Sequence, residues 1–251
     1  MNKKNIEYTY TVIENRQLTA KTWLMRLAGP AGVIEAPGQF VNIAVDGKYL
    51  RRPISICDYE ADGEITLLYD VVGDGTEIMS RWQAGREVSL LAPLGNGFDC
   101  SASGDSPLLI GGGIGIAPLY KLAKMLIAEG KRPVVVLGFN SAREVVWVDE
   151  FRATGAETHV ATVSGEVGTK GFVTDVEACR DAAHGYFYSC GPMPMLRALC
   201  NVMAVDGELS LDERMACGFG VCMCCSLATT DGARRICKDG PVFKKSELIW
   251  K

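Results

Sequence analysis

The residues with the clearest chemistry are thiols. Cys217, Cys222 and Cys225 are spaced C-x4-C-x2-C, and Cys237 follows, in a chain of 251 residues with ten cysteines. That spacing suits a plant-type [2Fe-2S] ligand loop, in which three thiolates converge from one tight turn and a fourth comes from beyond it. Gly218 and Gly220 let the backbone bend and leave room for its N–H groups to point at sulfur. Cys224 is surplus, and the spacing favours Cys225 as the ligand. Two other readings stay open. One is a structural zinc site, although zinc ribbons favour two paired C-x2-C knuckles. The other is a set of buried free thiols. The chain has only two histidines, His159 and His184, so a histidine triad or a three-histidine zinc site has almost no raw material.

A second set of residues suits phosphate. Gly111, Gly112, Gly113 and Gly115 follow the apolar run Pro107–Ile110 and open a helical pattern. Backbone N–H groups and the helix dipole favour a pyrophosphate at such a place. The stretch does not match G-x-G-x-x-G, because Ile116 holds the last glycine position. Ser189, Cys190, Gly191 and Pro192 end a later strand and start another helix. Two loops at the carboxyl ends of parallel strands are where such sheets bind nucleotides. Cys190 also reads as a small buried residue. Upstream, Arg51-Arg52-Pro53-Ile54-Ser55 offers a guanidinium, and Gly73-Asp74-Gly75-Thr76 offers a helix start, for another phosphate group.

The elements that must carry these groups have two different periods. From Tyr8 to about Cys100, short alternating runs (Tyr8–Ile13, Thr22–Leu27, Gln39–Val45, Ile54–Cys57, Ile65–Val72, Glu87–Leu91) are separated by turn residues. This predicts an antiparallel, Greek-key-like β barrel, with one helix after Thr76 on which Ile78, Met79 and Trp82 share a face. From about Ser106, strands at Leu108–Ile110, Val134–Phe139, Thr158–Val163 and Tyr186–Ser189 alternate with helices, which predicts an α/β parallel-sheet nucleotide-binding domain covered on both faces. In the first of those helices, Pro118 suits the opening turn and Gly130 the exit. After about Asp206 the chain is rich in Cys and Gly and has little period of either kind. The expected division is residues 1–100, 101–206 and a small C-terminal iron–sulfur segment, 207–251.

Apolar residues are 48% and charged residues 22%, as in ordinary globular chains. The net charge of −4 gives no electrostatic reason to expect nucleic acid. No apolar run is long enough for a membrane span, and residues 1–8 show no signal-peptide pattern, so the expected location is cytoplasmic.

Taken in order, the barrel with R-x-x-S, the sheet with G-G-G-x-G-x-A-P, the C-G-P turn and the cysteine loop resemble the ferredoxin–NADP reductase superfamily. Within it, the chain is most similar to the electron-transfer subunits of NAD-dependent (class 1B) dihydroorotate dehydrogenase. The likeness spans essentially the whole chain. Its most specific stretches are Leu50–Ile56, Ala92–Phe98, Leu211–Cys217 and Cys237–Phe243.

The resemblance implies FAD held by Arg52, Pro53, Ile54 and Ser55, with Arg52 on the pyrophosphate and Ser55 near the flavin ring. Leu68, Tyr69 and Asp70 are implied on the adenosine side, with Gly75 and Thr76 at the phosphates. It also implies NAD over Gly111–Gly115 and Cys190–Gly191, and a [2Fe-2S] cluster on Cys217, Cys222, Cys225 and Cys237. Ile54 replaces a tyrosine common in the superfamily, and Asp70, Asp74 and Glu77 add negative charge near the expected pyrophosphate. The implied partner is an FMN-containing catalytic subunit that oxidises dihydroorotate to orotate in pyrimidine synthesis, two of each chain in a heterotetramer. No catalytic acid or base of the chain's own stands out. Two alternatives remain. One is the small subunit of an NADPH-dependent ferredoxin reductase or sulfide dehydrogenase complex, for which Arg143 in Asn140–Arg143 offers a 2′-phosphate partner. The other is a zinc-stapled, non-catalytic interaction protein.

Overall fold

Alternation of apolar side chains builds the first half. In the computed structural model, which describes residues 6–181 and 183–250, strands β1 (Ile6–Gln17), β2 (Thr22–Ala28), β3 (Phe40–Ile43), β4 (Arg52–Tyr59), β5 (Ile65–Asp70) and, after helix α1 (Asp74–Ser80), β6 (Glu87–Leu94) form a closed antiparallel barrel in the order β1-β2-β5-β4-β3-β6. Tyr10, Met25, Leu27, Ile43, Ile56, Leu67 and Tyr69 fill its interior. Residues 1–5, part of the stretch read for an export signal, lie outside the described residues.

The second half switches period as expected. Strand β7 (Leu108–Gly112) leads through a 3₁₀ turn into α2 (Ala117–Ala128), followed by β8 (Val134–Phe139), α3 (Val148–Ala153), β9 (Glu157–Thr162), β10 (Thr169–Lys170), β11 (Tyr186–Cys190) and α4 (Met193–Val202). The sheet is apolar on both faces because successive residues alternate between two cores. Leu108, Ile110, Val134 and Val136 face Leu196 and Leu199 of α4. Leu109, Val135 and Leu137 face Leu119, Leu122 and Leu126 of α2 and Phe151 of α3. Pro118 lies in the first turn of α2, as expected. Between β9 and β11, where the sequence pattern predicts a helix, the chain forms the short β10 and two 3₁₀ turns instead. Val173, Val176 and Cys179 of those turns still cover the sheet.

The Cys-rich segment is not set apart from this sheet. Its flanking strands β12 (Asp206–Ser210) and β15 (Val242–Lys244) extend the sheet to the order β10-β9-β8-β7-β11-β12-β15, with β15 antiparallel. Between them lie the hairpin β13 (Ser226–Thr229) and β14 (Gly232–Arg235) and the short α5 (Ile236–Asp239). Among the described residues no helix is long and apolar enough to cross a membrane.

Barrel and sheet meet through α2, which packs on β4. Leu24, Cys57 and Leu68 of the barrel wall bury against Ala117. Lys121 and Lys124 reach Asp58 at 3.0 and 2.6 Å. The barrel also grips the C-terminal segment. Asn96 donates to the Val242 carbonyl at 2.8 Å, accepts from the Val242 N–H at 2.9 Å, and its own N–H reaches the Gly240 carbonyl at 2.7 Å. Two of the stretches that carried the family likeness, Ala92–Phe98 and Cys237–Phe243, therefore dock on each other.

Candidate functional site

The four cysteines of the ligand pattern fall into two pairs. Cys217 and Cys222 share a hydrogen bond, and so do Cys225 and Cys237. Positive φ at Gly218 (75°) and Gly220 (91°) turns the loop so that N–H groups face sulfur. The Val221 N–H donates to Cys217 Sγ at 3.3 Å, and the Cys237 N–H to Cys225 Sγ at 3.4 Å. Burial works against the Cys217 thiolate, but N–H groups of Cys222, Phe219 and Val221 bring its pKa down to about 6. Cys237 moves the other way, to about 12, through burial and the neighbouring Cys225. Among the described residues no three His, Cys, Asp or Glu converge on one point. Pairs of thiols fit a cluster of two irons, each taking two thiolates, better than one tetrahedral zinc drawing all four. Cys224 points elsewhere, with its Sγ 3.7 Å from the Arg214 carbonyl.

One long-range contact holds this loop to the barrel. Asn42 of β3 donates from Nδ2 to the Cys217 carbonyl at 3.1 Å, and a methyl on Gly218 would sit 2.4 Å from the same nitrogen. Asn42→Ala removes one buried anchor, typically about 1 kcal/mol. It is expected to speed bleaching of the visible cluster absorbance in a chelator by about fivefold, with flavin content unchanged.

Of the barrel residues predicted to bind phosphate, Arg52, Gly75 and Thr76 come together. Arg52 lies across the start of α1, where a methyl on Gly75 would sit 2.0 Å from its Nε. Thr76 Oγ1 accepts from the N–H groups of Val72 and Gly73 at 3.0 and 3.3 Å, which fixes the turn. Arg51 points away and pairs with Glu7 at 2.5 Å. On the implied adenosine side the side chains face elsewhere. Tyr69 is buried in the barrel, donating to Asn15 Oδ1 at 3.0 Å, and Leu68 is buried against Ala117. Both faces of β5 are covered, which alternation alone does not reveal. Asp70 accepts from Thr22 Oγ1 at 2.7 Å and meets Lys21 at 3.3 Å, so its charge is already countered. Asp74 is likewise paired, with Lys48 at 3.0 Å.

The two glycine loops of the sheet are neighbours, since Cys190 pairs with Gly111 across β11 and β7. A methyl on Gly115 would lie 2.6 Å from the Cys190 carbonyl oxygen and from Gly191 Cα, so only glycine allows this approach. Cys190 is buried, and burial followed by the nearby Asp212 charge pushes its thiol up to about 12, so it stays protonated. A narrow cleft is lined by Phe40, Pro53 and Ser55 of the barrel, Cys190 and Ser210 of the sheet, and Leu211, Asp212, Met215 and Pro241. Ser55, predicted beside a flavin ring, and Cys190, predicted beside a nicotinamide, thus share one cleft. A larger concavity, between Tyr10, Val33, Tyr59 and Lys121, contains none of the predicted site residues.

Comparison with known proteins decides the family. Residues 212–249 match the model of the iron–sulfur cluster binding domain of dihydroorotate dehydrogenase B. A relative from Fusobacterium nucleatum, the electron transfer subunit of dihydroorotate dehydrogenase B (NAD(+)), is 44% identical, with 95% of this chain and 96% of the relative covered. The chain belongs to this family. The subunit of the same name from Lysinibacillus sphaericus is 42% identical over 94% of this chain and 96% of its own. A solved structure, the NADH-dependent reduced ferredoxin-NADP oxidoreductase, superposes with a TM-score of 0.84 at 27% identity, covering 100% of this chain and 92% of that one. For an electron transfer subunit of dihydroorotate dehydrogenase B, several residues of the site escaped the sequence reading: Phe40, Ser210 and Met215, which line the cleft, and Asn42, which anchors the cysteine loop. Asn42 carries no motif signal, because its partner Cys217 is 175 residues away.

Proposed function

We propose that this chain passes electrons between a dihydroorotate-oxidising catalytic subunit and NAD(+), with FAD in the Ser55–Cys190 cleft and a [2Fe-2S] cluster on Cys217, Cys222, Cys225 and Cys237. The observation that carries this reading is the wall of that cleft. Leu211, Asp212 and Met215 line it and lead within a few residues into the cysteine loop. Bound there, a flavin exchanges electron pairs with a nicotinamide and single electrons with an iron–sulfur cluster.

The chain's own residues bind and orient. Arg52 and the turn fixed by Thr76 hold the FAD pyrophosphate, and Pro53, Ile54 and Ser55 run along the ring. Gly111, Gly112, Gly113 and Gly115 bring backbone N–H groups to the NAD pyrophosphate. Cys190 and Gly191 flank the nicotinamide, where a neutral thiol adds no charge beside the reacting ring. Leu68, Tyr69 and Asp70 border the adenosine through backbone, since their side chains are engaged elsewhere. The N–H groups that face Cys217 Sγ favour its thiolate, the form that binds iron, and the Cys237 N–H donates to Cys225 Sγ.

These roles map to residues 1–100, 101–206 and 207–251, although the last segment also returns β15 to the sheet. The partner in this reading carries FMN, and the complex is a heterotetramer with two copies of each chain. All ten cysteines are free of disulfides, as suits a reducing cytoplasm. Co-expression with the catalytic subunit, followed by iron, flavin and mass analysis, tests the reading. A yellow-brown complex with about two irons and one FAD per chain supports it. A colourless protein that contains zinc overturns it.

A further inference from the structure

The strand order fixes the direction in which a dinucleotide runs. With its pyrophosphate at Gly111–Gly115 and its nicotinamide beside Cys190, it leads from β11 across β7 toward β8 and β9, the next strands in the sheet. Its adenosine ribose then lies at the carboxyl ends of β8 and β9, some 5 Å per strand from the pyrophosphate loop. Two loops meet there. The Val163 N–H donates to the Phe139 carbonyl and the Ser164 N–H to the Asn140 carbonyl, each at 3.1 Å.

Glu166 bridges these loops. Its Oε2 accepts from the Ala142 N–H at 3.2 Å and from Ser164 Oγ at 2.9 Å, so Oε1 takes neither bond. The residue is exposed. These two donors, with Arg143 nearby, hold its carboxyl below the usual carboxylate range, so it is charged at neutral pH. Arg143, which in the sequence offered a partner for a 2′-phosphate, therefore stands in the field of a fixed anion. Glu144, also at this edge, is engaged by Asn140 at 3.2 Å and Lys21 at 3.1 Å.

We propose that Glu166 is the specificity-determining residue for the nicotinamide nucleotide, accepting from the adenosine-ribose diol of NAD and repelling a 2′-phosphate. This rests on the placement of the pyrophosphate at Gly111–Gly115 proposed above. The loop contacts orient the carboxylate before the nucleotide arrives, and a 2′-phosphate brings two further negative charges against it at close range.

The test uses the complete complex with an artificial one-electron acceptor, comparing wild type with Glu166→Gln. Glutamine keeps an acceptor for Ala142 and Ser164 and removes the charge. The expected result is a fall of about tenfold in KM for NADPH, a rise of roughly two- to threefold in KM for NADH, and an unchanged kcat with NADH. A change of less than about twofold in the ratio of the two KM values overturns the proposal. Hydrogen exchange with and without NADH separates the two levels of the argument. Protection at residues 111–115 without protection at 140–144 and 163–168 overturns the role of Glu166 while the pyrophosphate site stands. No protection at 111–115 overturns the site itself, and the role of Glu166 with it. Protection of all three segments, together with the shifted KM ratio, supports both.

Discussion

Cys222→Ser is expected to remove the iron from the complex and to lower dihydroorotate-dependent NAD+ reduction by more than about 100-fold, beyond what loss of a ligand's hydrogen-bond partner alone costs. Serine is a harder, far more basic donor than a thiolate, so it leaves one iron with a poor ligand set. FAD content should be unchanged, because Arg52 and Ser55 on β4 and Thr76 on α1 lie outside the cysteine loop. Cys224→Ser is the matched control. Its Sγ turns toward the Arg214 carbonyl rather than toward the two thiol pairs, so iron content and turnover should stay within about twofold of wild type. Iron analysis and the visible spectrum of the two variants, read side by side, check both halves. If Cys224→Ser lost the iron and Cys222→Ser kept it, the ligand assignment would be wrong.

The second large effect is expected at Arg52. Its guanidinium lies on the start of α1, over Gly75, in position to hold a pyrophosphate with charge-assisted hydrogen bonds. Such bonds contribute about 1.5–3 kcal/mol, so Arg52→Ala should weaken FAD binding by roughly 10- to 150-fold. The adjacent Arg51 is a sharp control. It reaches Glu7 at 2.5 Å and Ser89 Oγ at 3.1 Å on the barrel wall, away from α1. Arg51→Ala should therefore leave the FAD dissociation constant within about threefold of wild type. Flavin fluorescence during titration of the FAD-free protein reports both constants. Equal losses in the two variants would mean that Arg52 acts through general charge rather than by contact.

What the sequence revealed and what it hid divide along the range of the interactions. Local signals were legible. The C-x4-C-x2-C spacing, the alternation of Ile65, Leu67 and Tyr69, and Pro118 at the start of α2 each depend on neighbours within a few residues. The meeting of Cys190 with Gly115 was legible one step further, because parallel strands put consecutive loops at the same end of a sheet. Contacts set by packing between domains were not. Tyr69 turns into the barrel interior with Leu67, but Leu68 looks available on the outer face of its strand, and only the docking of α2 shows that it is buried as well. Asn42 and Asn96 look like ordinary polar residues, yet one holds the cysteine loop and the other ties the barrel to β15 across 146 residues. The aperiodic C-terminal segment gave no strand signal, because β15 is three residues long and takes its order from the edge it joins. Glu166 went unremarked for the same reason: its role comes from a loop on the neighbouring strand.

The most direct measurement is NAD+ reduction driven by dihydroorotate, made with the catalytic subunit alone and again after this chain, loaded with flavin and iron, is added. The account predicts NADH formation only in the second case, saturating when the two chains are present in equal amounts. NADH formed by the catalytic subunit alone at the same rate would contradict it, as would no NADH from the fully loaded complex.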